Sequence, residues 1–79
     1  MKYEVIVQLK PDVLNVEAKE VKNTLQNQGF SSVLNVQTAK VFYIELDDST
    51  LNHSDAVKQI ASSVLANTVI EQFSFKEVL

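Results

Sequence analysis

Apolar and polar side chains alternate at the start of the chain. Four apolar residues share one face of residues 2–10: Tyr3, Val5, Val7 and Leu9. Polar residues dominate the other face, where Ile6 stands between Glu4 and Gln8. A period of two is typical of a half-buried β-strand, and Pro11 ends it because proline has no N–H for a β ladder.

A helix is predicted over residues 16–28. Its modest apolar stripe consists of residues spaced three and four apart: Ala18, Val21 and Leu25. Asn15 is a suitable N-cap residue, because its side-chain oxygen can accept a hydrogen bond from the first turn. Gly29, the only glycine, is expected just beyond the C-terminus of this helix.

A wider apolar stripe predicts a second, better-buried helix that begins at His53 or Ser54. The stripe follows helical spacing: Ala56, Val57, Ile60, Ala61, Val64 and Leu65. Asn67 is expected to end this helix, because asparagine tolerates the left-handed conformation that closes many helices.

Three further β-rich segments complete the pattern, at residues 32–38, 41–46 and 69–75. A short turn at Ala39 and Lys40 joins the first two of them. The order is therefore β-α-β-β-α-β over a single domain, residues 1–79. It predicts an α+β ferredoxin-like two-layer sandwich, in which two helices cover one face of a four-stranded antiparallel sheet.

The predicted sheet has an apolar side for the helices and a mixed outer side. The helix-facing set is Tyr3, Val5, Val7, Leu9, Phe42, Ile44, Leu46, Phe73 and Phe75. The outer face carries Ile6, Val41 and Tyr43, which we predict to be an oligomer interface. Single surface hydrophobics are also normal, and the sheet edges offer a second route to self-association.

Composition excludes several classes of function. The chain has 79 residues, no cysteine and a net charge of −3. Its seven basic residues are all lysines and are scattered along the sequence, so no basic patch predicts nucleic-acid binding. No apolar run resembles a signal peptide or reaches the ~18 residues of a membrane span. A cytoplasmic protein with no membrane contact is expected.

No catalytic, cofactor-binding or metal-binding residues are predicted. His53 is the only histidine, and it has no cysteine or nucleophilic serine motif beside it. Asp47 and Asp48 are adjacent, so on an extended chain they point to opposite sides. One glycine cannot form a phosphate-binding loop. The β-α-β-β-α-β order also occurs in RNA-recognition domains, but their glycine and aromatic pattern is missing from residues 40–44.

Four short motifs stand at a characteristic spacing: Leu9-Lys10-Pro11, Val13-Leu14-Asn15, Leu65-Ala66-Asn67 and Val69-Ile70-Glu71. They resemble the PurS family, the small subunit of phosphoribosylformylglycinamidine synthase, also called formylglycinamide ribonucleotide amidotransferase. The resemblance covers nearly the whole chain. Gln37, Ala39 and Thr68 replace the arginine, glycine and proline that are usual in the family.

The resemblance implies a role in de novo purine biosynthesis. A glutaminase subunit would release ammonia, and a large synthetase subunit, an ATP-dependent amidoligase, would use it. The small subunit, a dimer or tetramer, would bridge the two and assist ammonia transfer without catalytic activity of its own. It would bind no cofactor, whereas ATP and Mg²⁺ are implied for the complex.

A second function from another class fits the same order of elements. ACT-like regulatory domains dimerise and bind an amino acid or another small ligand. Their sites usually need a glycine-containing loop after the first strand, and Lys10-Pro11-Asp12 has none.

Overall fold

The computed structural model describes residues 1–49 and 51–78; Thr50 and Leu79, which the predicted domain includes, lie outside them. The elements run, in order, β1 (Lys2–Leu9), α1 (Val16–Asn27), β2 (Lys40–Glu45), α2 (His53–Ile60), a π-helical turn (Ala61–Leu65) and β3 (Glu71–Val78). The alternation in β1 and both helix starts are confirmed. The last strand begins two residues later than predicted.

β1 is the centre of an antiparallel sheet with the order β2-β1-β3. Val5 lies opposite Phe42 on one side and Phe75 on the other. The apolar face of β1 is buried along Tyr3, Val5 and Val7, because α2 and the residues that follow it pack against this face. These pairings confirm the helix-facing set in the middle of the sheet.

The described residues form a three-stranded sheet, so the predicted four-stranded sheet is not confirmed. Residues 33–39, most of the predicted second strand, belong to no β ladder, and the hairpin turn at Ala39 and Lys40 is absent. Pairing between β1 and β2 stops at Val7 and Lys40, so the chain before Lys40 continues past the end of the sheet. Alternating side chains suit a strand, but a strand also needs a neighbour with which to pair.

Both predicted ends of α1 are confirmed. The Oδ1 atom of Asn15 accepts a hydrogen bond from the Ala18 N–H at 3.0 Å. At the other end, the Phe30 N–H donates to the Leu25 carbonyl and the Gly29 N–H donates to the Gln26 carbonyl. This pair of bonds is a Schellman motif, and the φ of +98° at Gly29 is what the motif requires of its C′ residue.

Replacing Gly29 with alanine is expected to lower the free energy of unfolding by about 1–2 kcal/mol, because an L side chain is strained at this positive φ. No atom within 4 Å would clash with the new Cβ, so the cost comes from the backbone alone. Gly29→Asn should cost less, since asparagine tolerates this region better. Urea unfolding of the three proteins measures the order; equal stability of all three would contradict it.

The second helical segment departs from its predicted spacing. After Ile60 the chain forms a π-helical turn, in which the Ala66 N–H donates to the Ala61 carbonyl at 2.9 Å. This wider turn brings Ala66 into the core, whereas Val64 is exposed. The prediction that Val64 belongs to the buried stripe was therefore wrong, because it assumed 3.6 residues per turn throughout.

A single apolar cluster holds α2 and the π-helical turn against the sheet. Its buried members are Tyr3, Val5, Val7, Val57, Ala61 and Ala66, and half-buried Phe42, Ile44, Leu46, Leu65, Phe73 and Phe75 pack against them. α1 contributes no residue to this cluster, and it makes few contacts with the sheet. The described structure thus has one helix on the core and one beside it.

Residues 12–39, which include α1, form an arm that extends from the sheet. Two side-chain hydrogen bonds hold the arm together: Asn15 Nδ2 to Thr38 Oγ1 at 2.9 Å, and Gln26 Nε2 to the Val33 carbonyl at 3.0 Å. The molecule measures 52 × 28 × 13 Å, with a radius of gyration of 16.2 Å. A compact domain of this length has a radius of about 12 Å, so the shape is that of a thin, extended plate. None of the described helices is both long and apolar enough to cross a membrane.

Candidate interaction surfaces

The outer face of the sheet brings the three predicted interface residues together. Ile6 is directly opposite Val41, and Tyr43 is two residues further along β2, opposite Glu4. Val41 is 49% exposed and Tyr43 is 61% exposed. The Lys2 ammonium lies 5.4 Å from the Tyr43 ring centroid and forms a cation–π contact. A role for this patch in self-association stays a prediction.

A tight turn after the π-helical turn depends on Asn67 and Glu71. The Asn67 N–H donates to Glu71 Oε1 at 2.8 Å, and Asn67 Oδ1 accepts from the Val69 N–H at 3.1 Å. The Glu71 N–H also donates to the Asn67 carbonyl at 2.7 Å. Sequence reasoning placed a turn here but missed these reciprocal bonds; an asparagine and a glutamate four apart at the helix end were the available signal.

Asn67 does not use the left-handed conformation that was predicted for it. Within the described part of the chain, the only positive φ belongs to Gly29. Asn67 closes the helical segment with its side chain instead, as asparagine does in Asx turns. Val69 and Ile70 are exposed members of this turn and do not belong to β3, so their inclusion in the strand predicted over residues 69–75 was wrong.

His53 and Asp47, which were considered for catalysis or metal binding, make hydrogen bonds to nearby residues of the chain. His53 Nε2 lies 3.1 Å from the Asp47 carbonyl oxygen at the start of α2. The Asp47 carboxylate accepts hydrogen bonds from the hydroxyl and the N–H of Ser49. These bonds lower the pKa of Asp47, the hydroxyl being the larger cause, and the nearby His53 lowers it slightly further. These hydrogen bonds are local and structural: they connect Asp47 with Ser49 and with His53 at the start of α2.

Replacing Ser49 with alanine is expected to raise the pKa of Asp47 towards its ordinary value, because the hydroxyl that stabilises the carboxylate is lost. A lowered pKa stabilises the folded chain above the ordinary pKa, and that contribution disappears as the pH falls through the folded value. The variant should therefore lose less stability in acid. NMR titration of the Asp47 carboxyl carbon measures the change; an unchanged midpoint would contradict it.

No group of three or more histidine, cysteine, aspartate or glutamate side chains that could hold a metal ion occurs in residues 1–49 and 51–78. No cysteine is present in the sequence. The described side chains offer surfaces for binding, and we find no assembled nucleophile, base and orienting group among them.

A groove of about 680 Å³ lies where the arm leaves the sheet. One wall is formed by residues 8–11 and Gln72, and the other is formed by α1 and residues 35–38. Lys10, Lys19 and Lys22 line it. These lysines are scattered in sequence, and the fold brings them together at one place.

A small α+β chain with exposed surfaces available to partners fits the class of subunits of larger protein assemblies. The model of the PurS family, described as phosphoribosylformylglycinamidine (FGAM) synthase, matches residues 2–78. The chain therefore belongs to the PurS family, whose members are a subunit of this enzyme of purine biosynthesis.

The PurS protein of Methanocaldococcus jannaschii resembles this chain in sequence and in structure over nearly its full length. Phosphoribosylformylglycinamidine synthase subunit PurS of Methanocaldococcus jannaschii is 33% identical over 76 residues, which cover 95% of this chain and 92% of that protein. The crystal structure of M. jannaschii PurS, described as one of the subunits of formylglycinamide ribonucleotide amidotransferase in the purine biosynthetic pathway, has a TM-score of 0.85 and covers 99% of this chain and 96% of its own.

Two further structures share the fold. Bacillus subtilis PurS has a TM-score of 0.88 at 29% identity and covers 95% of this chain and 94% of its own. A chain in a structure described as PurLQS from Thermotoga maritima has a TM-score of 0.71 at 20% identity, covering 98% of this chain and 95% of its own. At that identity the second likeness shows the fold alone.

Proposed function

We propose that this chain is the non-catalytic small subunit of phosphoribosylformylglycinamidine synthase. In this role it bridges the glutaminase subunit and the ATP-dependent synthetase subunit and assists the transfer of ammonia between them. ATP and Mg²⁺ belong to the partner subunits. The chain contributes binding surfaces, and it works in the compartment where purine synthesis takes place, which we take to be the cytoplasm.

The observation that carries this proposal is the match of the PurS family to residues 2–78. The partner subunits are those that the resemblance to the PurS family implies, and a chain of the same fold occurs in the T. maritima structure described as PurLQS. The surfaces described above suit such a role: an open sheet face and a long arm are exposed on a chain of only 79 residues.

Self-association is part of the proposal. α1 has 12 residues and makes few contacts with the sheet, and helices of this length are marginal in water without a packed face. Several large apolar side chains of the arm are exposed: Leu14, Val16, Val21, Phe30 and Leu34. We propose that a second copy of the chain covers them. β2 is an edge strand of the sheet, and residues 33–39 of the second copy have the alternating pattern of a strand that would pair with it.

The apolar pattern also offers a register for this second copy. An antiparallel pairing of residues 33–46 with the same segment of another chain would set Leu34 opposite Ile44, and Val36 opposite Phe42. Both pairs are apolar, and because Phe42 and Ile44 pack on the core-facing side, Leu34 and Val36 of the second copy would lie on that side too. A tetramer needs a second surface of its own, and the predicted outer patch of Ile6, Val41 and Tyr43 would provide it.

Reconstitution tests the proposal. The purified chain is combined with the synthetase and glutaminase subunits of the same organism, and glutamine hydrolysis and amidine formation are measured together. With the chain present, one ammonia released should give one product molecule. Without it, hydrolysis should fall or become uncoupled from synthesis. Equal coupling with and without the chain would refute the proposal.

The regulatory alternative is not favoured by the comparisons. The family model and the relatives named above are all PurS, and none is described as an amino-acid-binding regulator. A thermal-shift series with free amino acids and nucleotides provides a direct check. Stabilisation by an amino acid alone would favour an ACT-like function.

A further inference from the structure

The groove between the sheet and the arm has an unusual charge for this protein. Pairing of β1 with β2 ends at Val7 and Lys40, and beyond this point the two parts of the chain separate. Lys10 directly follows β1, and Lys19 and Lys22 come from one side of α1. Among the described residues, no aspartate or glutamate lines the space between them.

The rest of the chain has the opposite charge. Seven lysines and ten acidic residues give the net charge of −3. The groove accounts for three of the lysines, so the remaining sequence carries four lysines against ten acidic residues. An acidic ligand would therefore be repelled by most of this molecule and attracted at the groove. Such a contrast directs the approach and orientation of a charged partner.

We infer that this groove binds an acidic, extended segment of a partner subunit. The inference rests on the proposed function, because that function requires the chain to dock on other proteins. Carboxylates of the segment would pair with Lys10, Lys19 and Lys22. Amide side chains along the walls, including Gln8, Asn35 and Gln37, would hydrogen-bond its backbone.

The groove suits carboxylates on a peptide better than the phosphate of a small molecule. Phosphate sites are typically built from backbone N–H groups at glycine-rich loops or from the planar fork of arginine. The sequence has no arginine, and its single glycine, Gly29, is not among the groove residues. At the start of α1, the Ala18 N–H already donates to Asn15 Oδ1. Flexible lysine side chains along an open groove supply positive charge, but they do not hold a phosphate in one fixed geometry.

Two matched double variants test the inference. Lys19→Gln with Lys22→Gln removes two charges from the groove. Lys58→Gln with Lys76→Gln removes two charges from exposed positions outside it. Glutamine keeps the side-chain length and is a good helix former, so both proteins should fold. Their binding to the purified synthetase and glutaminase subunits is measured by surface plasmon resonance at low and at physiological salt.

The groove variant should associate with one of these subunits about tenfold more slowly at low salt, and its affinity should depend less on salt. The control variant should stay within about twofold of the unmodified chain. Equal effects of the two variants would overturn the inference. So would a groove variant with unchanged partner binding but altered self-association, because the occupant would then be a second copy.

A third experiment distinguishes a site for small molecules from a site for a peptide. Inorganic phosphate and ribose 5-phosphate are titrated into the unmodified chain, and backbone NMR shifts are followed. Saturable shifts at Lys10, Lys19 and Lys22 with unchanged partner binding in the groove variant would overturn the peptide assignment. If the unmodified chain binds neither subunit, the proposed function itself fails; if it binds and the groove lysines are irrelevant, only this inference fails.

Discussion

Replacing Val57 with aspartate is expected to unfold most of the protein at 25 °C. Val57 is 0% exposed and belongs to the one cluster that holds α2 on the sheet. An unpaired carboxylate in that cluster, together with the lost packing, should lower the free energy of unfolding by at least about 4 kcal/mol. A 79-residue chain has a total stability of roughly 4–12 kcal/mol. With so few buried residues this chain should lie near the lower end of that range, so little stability would remain.

The same substitution at Val64 provides the control. Val64 lies seven residues further along, and a regular α-helix would place it on the same face as Val57. Because of the π-helical turn it is 77% exposed, so Val64→Asp should change the stability by no more than about 0.5 kcal/mol. Far-UV circular dichroism during urea unfolding, at one protein concentration, measures both variants. An equal loss of free energy of unfolding in the two variants would mean that Val64 is buried, as it would be in a regular α-helix.

Replacing Leu34 with aspartate should convert the self-associated protein into monomers while leaving the sheet folded. Leu34 is 83% exposed in the single chain, so the charge costs little there. In the proposed pairing it faces Ile44 of a second copy on the core-facing side, where an unpaired carboxylate would be buried. The dissociation constant should rise by at least about 100-fold. Sedimentation velocity over a range of protein concentrations measures this change.

Leu51→Asp is the matched control, since Leu51 is also an exposed leucine but lies before α2, outside the arm. It should keep the oligomeric state of the unmodified chain. Circular dichroism of both variants shows whether the sheet is intact. A Leu34 variant that remains as associated as the Leu51 variant would exclude the arm as the dimer contact. Tyr43→Asp, measured in the same way, would then decide whether the outer sheet face takes that role.

Local signals in the sequence predicted the local features of the fold well. The alternation of residues 2–10 has only one interpretation, and the structure buries its apolar side. Asn15 caps α1 and Gly29 ends it, because each residue type has a conformation or a hydrogen bond that others lack there. The resemblance of four short motifs likewise identified the family before any fold was known.

Features that depend on distant parts of the chain were predicted less well. Residues 33–39 have the pattern of a strand, but whether they pair within their own chain is decided by the path of the backbone at Lys40. The π-helical turn changes which side of the chain faces inward without any proline or glycine to mark it. The lysine groove joins Lys10, Lys19 and Lys22 to residues 35–38, and only the folded chain brings these together.

The small number of buried residues affects how far the sequences of related proteins can diverge. The buried residues of the described chain are few and mostly small: Tyr3, Val5, Val7, Ala18, Val57, Ala61 and Ala66. Most other positions lie at a surface of the single chain, and at those outside the proposed interfaces one side chain can replace another at little cost. Relatives can therefore drift far apart in sequence and still share a backbone, as the 29% identity and TM-score of 0.88 with the B. subtilis protein illustrate.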